Sequence, residues 1–542
     1  MDREIINNLK TLSLDMINRA GSGHSGIVMS AAPLIYTIYA KHMNINPRDP
    51  NWMNRDRFVM SAGHGSALLY ATLHMAGMNI TSEDLENFRR YGYKTPGHPE
   101  LGVTPGVDVS TGPLGQGIAT AVGLALGEKM LEARFKIGEE KPRNLFNYRV
   151  YALVGDGDLM EGVAYEAASF AANHGLNNLI VLYDSNNVTL DGNKKITFTE
   201  NVSERFRAMG WHVEFVKDGN SVSEINEAIN KCKQAVRPGF IQVVTTIAQD
   251  TELAGDHKSH GYVFNVDEIK KIKAKLGVTD EPFYVSELAA NAFKESIRNR
   301  SNKKYEQWAI DYKDYVNSRK DFDISELKAI FDENINLTLN QDVLKYIRYS
   351  GEKQSMRETN HQIMQFIAER LSNFVGGGAD VASSTKTFIA DSKAVNYQDF
   401  SGRNINFGVR EHAMGAMLNG LALTGFKAFG STFLAFSDYM KPAMRMSAMM
   451  HLPVTYIFTH DSINIGPDGP SHQPIEQLAM LRATPNLMVF RPADAKELIG
   501  CWNEILASSK PSVLVLPRGH VDVEEFSNPA GVSYGGYIIS EV

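Results

Sequence analysis

The stretch YALVGDGDLMEG, residues 151–162, decides how the chain is read. Tyr151 to Val154 are apolar and strand-prone, and Gly155 and Gly157 mark a tight turn after them. In an open α/β sheet, ligands bind in the crevice outside the carboxyl ends of such strands. The turn is acidic, with Asp156 and Asp158 inside it and Glu161 just beyond. So much negative charge repels a bare phosphate. A divalent cation between acid and diphosphate removes the conflict, since Mg²⁺ commonly bridges carboxylates to phosphate oxygens in an octahedral shell.

Outward from this turn, LIVLYDSNNVTLDG at 179–192 supplies a second strand end. Asn186 lies just past it with a neutral amide oxygen, and Val188 can add a backbone carbonyl. With Asp156 these make three protein donors, and two phosphate oxygens and a water complete the shell. Taken separately, GDG reads as an ordinary turn and NN as an ordinary loop. An EF-hand does not fit, because Glu161 occupies the place where that loop needs glycine. No G-x-x-x-x-G-K-[ST] occurs, so Walker A is excluded.

The 542 residues exceed the size at which single cores stop growing, and two or more domains are expected. A net charge of −7 offers no electrostatic case for nucleic acid. Cys232 and Cys501 are the only cysteines, which suits a reducing compartment and excludes a disulfide framework. The charged start MDREIINNLK has no apolar core of a signal peptide. The most apolar windows, 27–40 and 118–127, are shorter than the ~20 residues of a membrane span and read as buried helices. A cytoplasmic protein is expected, without membrane partners.

Strand-like and helical runs alternate, the pattern of parallel sheets. Strands are expected at 150–154, 179–183 and 240–245, with a helix at 163–174. A second series lies at 454–458, 487–490 and 512–516, preceded by a helix at 411–423. Residues 286–345 turn charged and Asn-rich, with helical patches such as SELKAIFDEN, and read as a connecting segment.

GDG and NN about thirty residues apart resemble the thiamine diphosphate signature. GSGHSG (21–26), SAGHGS (61–66), KTPGHPE (94–100) and STGPLGQG (110–117) resemble transketolase motifs, in transketolase order. So do GVREHAMG (408–415), STFLAFSDY (431–439) and THDSINIGPDGPSHQP (459–474). The resemblance implies an α/β fold of two thiamine diphosphate-binding-type domains, with parallel sheets flanked by helices. It implies a diphosphate-binding domain at 1–315, a linker at 316–350 and a pyrimidine-binding domain at 351–534. Residues 535–542, strand-like, would open a third domain that is absent.

The activity implied is reversible transfer of a two-carbon ketol unit between sugar phosphates in the pentose phosphate pathway, through a thiamine diphosphate ylid and an enamine. The cofactors implied are thiamine diphosphate and one Mg²⁺ or Ca²⁺, in a homodimer with the site between subunits. His64, Gly157 and Asp380 would contact the cofactor, and Gly112, Pro113 and Leu114 would present backbone groups to its aminopyrimidine. Glu411 would face N1′ of that ring, with Phe433, Phe436 and Tyr439 walling its pocket. His24, His257 and His472 would move protons on sugar hydroxyls, His257 also touching the cofactor as the first histidine of AGDHKSHG, while His260, the second, is assigned no role. His98 would contact the transferred fragment, and Asp468 would read a hydroxyl's stereochemistry. Arg357, Ser384, His460 and Arg518 would clamp the phosphate.

Two positions depart from the family pattern. Ser25 stands where proline is usual after His24, and Thr385 where asparagine is usual. The nearest alternatives are dihydroxyacetone synthase, phosphoketolase and deoxyxylulose-phosphate synthase. From another class comes a non-catalytic thiamine diphosphate-binding scaffold, which would have lost Glu411 or several histidines.

Overall fold

The computed structural model describes residues 1–138, 142–318, 321–331, 337–339, 343, 346–347, 353–522 and 527–540. The chain divides into two compact units, Met1–Asn317 and Ser318–Val542. Part of the 316–350 segment expected to be a linker lies outside the described residues, and Asp321–Phe331 within it is a helix.

The first unit is built on a parallel sheet of β1 (Arg57–Met60), β2 (Val150–Gly155), β3 (Leu179–Ser185), β4 (His212–Val216) and β5 (Gly239–Val244), in the order β1-β2-β3-β5-β4. The register sets Gly155 beside Asp184 and Ser185 beside Val244, so the acidic turn opens at the carboxyl end of the sheet centre. Every residue of β3 is buried, and so are the first five of β2. Such unbroken apolar runs belong to strands covered on both faces. The helix Gln116–Arg134 packs so closely that a Cβ on Gly117 would lie 2.5 Å from the Ser61 Cα.

In the second unit β6 (Phe374–Gly378), β7 (Lys427–Phe433), β8 (Thr455–Thr459), β9 (Met488–Phe490) and β10 (Ser512–Leu516) are also all parallel, in the order β6-β7-β8-β10-β9. Both sheets share one winding.

Three expectations change. Glu287–Ser318 is one helix, and its Ala289, Phe293 and Ile297 join the first unit's core. Arg300 on it donates to the carbonyls of Tyr39 and Met43. The connecting segment therefore starts later than its charged composition suggested. Residues 535–540 form no strand. Instead the Tyr537 hydroxyl donates to Glu497 at 2.6 Å. Four strands, β1, β4, β6 and β7, gave no clear apolar run.

The glycines of β6 show why that strand escaped notice. A Cβ on Gly376 would lie 2.0 Å from the Phe429 carbonyl oxygen, and one on Gly377 only 1.9 Å from that of Ile405. The strand is defined by close backbone approach rather than by side chains. Gly377→Ala is therefore expected to cost at least about 2 kcal/mol of stability in urea unfolding, as overpacking of backbone allows no side chain to yield.

Candidate active site

The three acids of the opening turn have different surroundings. Asp158 is fully buried and structural: its Oδ1 accepts from Ser61 Oγ at 2.7 Å and Gly115 N at 2.9 Å, and its Oδ2 from Gly155 N at 3.0 Å. Gly115 adopts φ 79°, a left-handed conformation suited to glycine, and this aims its N–H at the carboxylate. Glu161 precedes the helix Gly162–Asn173. Asp156 differs from both. Its Oδ1 accepts from the Tyr183 hydroxyl and from Lys194, while its buried Oδ2 has no partner.

Asp156 lines a cavity of about 450 Å³ together with Gly157, Asn186, Val188, His64 and Leu114. That volume lies in the range of small-ligand sites. Asn186 Oδ1 accepts from Val188 N at 3.1 Å, which fixes the loop beside the acid. Among the described residues no three His, Cys, Asp or Glu side chains form a metal cluster by themselves. The donors that fit a hard cation are the unpartnered Asp156 oxygen, the Asn186 amide and the Val188 carbonyl, with room for diphosphate oxygens. The residues present thus fit thiamine diphosphate and a divalent ion.

Asp184 was not singled out from sequence, because in LYDSNN it comes after an apolar strand like any surface acid. It is fully buried and lines the cavity. It accepts from Ser30 Oγ at 3.0 Å, from Asn186 Nδ2 at 3.2 Å and from Thr245. Burial, aided by the Asp156 charge, pushes its carboxyl up to about 6.

Four imidazoles gather near this cavity. His24 lies 5.2 Å from His64, 6.3 Å from His98 and 5.5 Å from His260 between ring centroids, and His64 stacks on His260 at 5.1 Å. His98 rides on a loop held by Ser66, which donates to the Gly97 carbonyl, and by Tyr70, which donates to that of His98. His257 stands apart. It faces Asp256 at 3.3 Å, its side chain 43% exposed, while His260 lines the cavity. The first histidine of AGDHKSHG was matched to the family role, yet the turn His257–Ser259 carries the second one inward. Gly112 and Leu114 line the cavity, whereas Pro113 is exposed and not among its lining.

Burial keeps these rings neutral. It pushes His24 down to about 4, with repulsion from His260, Arg89 and His98 adding to the effect. His64 falls well below its usual range for the same main reason, and His98 and His260 are lowered too. Ser25, in place of the usual proline, donates to the Tyr262 carbonyl at 2.5 Å, so a hydrogen bond holds the His24 turn.

In the second unit Glu411 opens the helix Glu411–Leu423, and burial raises its carboxyl above the ordinary value. Phe433, at the end of β7, stacks with Phe436 at 6.0 Å and lies 3.9 Å from the His460 ring. Phe436 also meets Tyr439 at 6.2 Å and His472 at 5.2 Å. Tyr439 is itself 62% exposed. Arg357 donates to the carbonyls of Ser384 at 2.7 Å and Arg518 at 3.1 Å, leaving its buried Nε unpartnered. Burial and the Arg357 and Arg518 charges push His460 down to about 4. Asp461, next in sequence, accepts two bonds from Arg491 that steady the end of β8. Asp380 and His460 both take φ 62°, a strained conformation that clusters at functional sites. Asp468 is exposed at the end of the turn Ile463–Asp468.

The profile of the family described as "Transketolase, thiamine diphosphate binding domain" matches residues 1–336, and that of "Transketolase, pyrimidine binding domain" matches residues 352–523. The chain belongs to the transketolase family. Transketolase of Bacillus subtilis is 43% identical over 100% of this chain and 81% of its own length. That of Geobacillus stearothermophilus is 45% identical over 99% of this chain and 80% of its own. Among solved structures, transketolase from Leishmania mexicana superposes with a TM-score of 0.95 at 38% identity, covering 100% of this chain and 81% of that one. A Pichia stipitis transketolase in complex with sedoheptulose-7-phosphate does so at 0.94 and 36%, with the same coverage. This membership accounts for two domains of one winding.

The depressed histidines have a consequence for pH. A folded-state pKa below the unfolded value of about 6.5 means the unfolded chain takes its proton first as pH falls. Stability is unaffected above that value and declines as pH drops through it toward the folded pKa. The thermal midpoint of the cofactor-free protein should therefore fall between about pH 7 and about pH 5, and His24→Asn should flatten that decline.

Proposed function

We propose that the chain is a thiamine diphosphate- and divalent metal-dependent transketolase that moves a two-carbon ketol unit from a ketose phosphate to an aldose phosphate. One observation carries the metal reading: Asp156, which lines a cavity together with Asn186 and Val188, keeps one buried oxygen without a partner. In this reading these three hold Mg²⁺ or Ca²⁺, and the ion neutralises the diphosphate that acid alone would repel.

Bound thiamine diphosphate supplies a nucleophilic carbon and an electron sink for the cleaved sugar. The protein supplies proton control. Glu411, its carboxyl raised by burial, would hold a proton against the aminopyrimidine, and the rings of Phe433 and Phe436 would wall its pocket. Neutral His24, His98 and His260 are suited to take the proton of the ketose C3 hydroxyl and return it to the acceptor carbonyl oxygen. His472 and Asp468 read the remaining hydroxyls. Arg357, with one guanidinium N–H free, Arg518, Ser384 and His460 receive the phosphate. Asp380 belongs to the cofactor contacts.

The first unit offers metal and diphosphate groups, and the second offers the acid and the aromatic wall. We place them in one site by a homodimer in which each protomer's first unit works with the partner's second. Two thiols and a phosphosugar substrate suit the cytoplasm, and no helix among the described residues is long and apolar enough to cross a membrane.

Ketol transfer from xylulose 5-phosphate to ribose 5-phosphate, read by product formation, tests the reading. Glu411→Ala should cut turnover by about 10²–10⁴-fold with the fold intact, and near-normal turnover would refute the assignment. His260→Ala should lose about 10²-fold or more, whereas His257→Ala should change the rate little. Solution mass with and without cofactor tests the dimer.

A further inference from the structure

Lys194 stands behind the candidate metal aspartate. Its Nζ donates to Asp156 Oδ1 at 3.0 Å and to the Tyr183 hydroxyl at 2.9 Å, with its side chain only 12% exposed. The ammonium also lies 5.5 Å from the Tyr183 ring centroid. Its backbone is fixed as well. The Lys194 N–H donates to the Asn187 carbonyl at 3.0 Å, and its own carbonyl accepts from the N–H groups of Thr197 and Phe198. Val188–Thr189 pairs antiparallel with Gly192–Asn193, so one small hairpin carries the Val188 carbonyl on one strand and Lys194 directly after the other.

The two Asp156 oxygens have been divided. Lys194 is not among the cavity's lining residues, whereas Asp156 is. Oδ1 is occupied from behind by Lys194 and Tyr183, and the buried Oδ2 is left without a partner. A carboxylate gripped at one oxygen by two donors cannot turn freely about its last bond. Outer donors of this kind orient metal-ligating carboxylates, and their loss typically costs 10–100-fold in metal affinity.

We propose that Lys194 is a positioning residue for the divalent cation, holding Asp156 by Oδ1 so that Oδ2 stays free for the ion. The proposal rests on the cation reading given above. Its readout is calorimetric binding of thiamine diphosphate over a series of Mg²⁺ concentrations, with the thermal midpoint of cofactor-free protein as the folding control. Lys194→Met should raise the Mg²⁺ concentration for half-maximal cofactor binding by about 10–100-fold, and Lys194→Arg should regain most of it. A Lys194→Met protein within about twofold of the natural one overturns the proposal. So does one whose thermal midpoint falls while its Mg²⁺ requirement stays put, since that marks a structural role only. Asp156→Asn separates the two readings. If it binds cofactor at an unchanged Mg²⁺ requirement, Asp156 does not hold the cation and the cation reading given above fails; if it loses binding while Lys194→Met does not, only the present proposal fails. Should Lys194→Met not fold, Tyr183→Phe removes the other donor to Oδ1. A severalfold higher Mg²⁺ requirement then supports the proposal, and an unchanged one sinks it.

Discussion

A buried carboxylate must find partners or be neutralised, because burial without compensation costs far more than a domain can spare. That constraint organises the first unit. Asp158 meets it with three donors and so locks the turn after β2 against Ser61 and Gly115. Asp184 meets it with Ser30, Asn186 and Thr245 and a raised pKa. Asp156 meets it only by half. Of the three it alone keeps an oxygen without a partner, and it lines the cavity together with His24, His64 and His260.

The same desolvation that makes the acids costly makes the imidazoles useful. A histidine at its ordinary pKa would be partly charged near neutrality and would add repulsion among four crowded rings. Burial keeps His24, His64, His98 and His260 neutral, and a neutral imidazole both donates and accepts. In the second unit burial acts on Glu411 with the opposite outcome, favouring the protonated acid. A single physical cause lowers the pKa of the imidazoles on one unit and raises that of a carboxyl on the other.

Legibility in the sequence tracked side-chain chemistry. The apolar runs of β2, β3, β5 and β10 were readable, and so was the acidic turn between glycines. Strands defined by backbone proximity were not: FVGGG in β6 looks like a loop until its glycines are seen against Phe429 and Ile405. The helix Glu287–Ser318 was hidden by its charged outer face, because only a few residues such as Phe293 and Ile297 reach the core. His257 and His260 illustrate a third limit. Two identical side chains in one short motif differ only in the direction a turn gives them, and residue type carries no record of that direction.

Two sheets of identical strand order serve unlike chemistry, and the difference lies in the loops at their strand ends. After β2 and β3 come short acidic and amide turns that suit a hard cation. After β7 and β8 come Phe433, Phe436 and His460, whose rings lie within 3.9–6.0 Å of one another along the chain Phe436–Phe433–His460. An aromatic wall of low polarity and a buried acidic turn are environments of opposite polarity. Each is built by the loops of its own sheet. The common winding then supplies only what both need, a rigid row of strand ends from which loops of different chemistry can project.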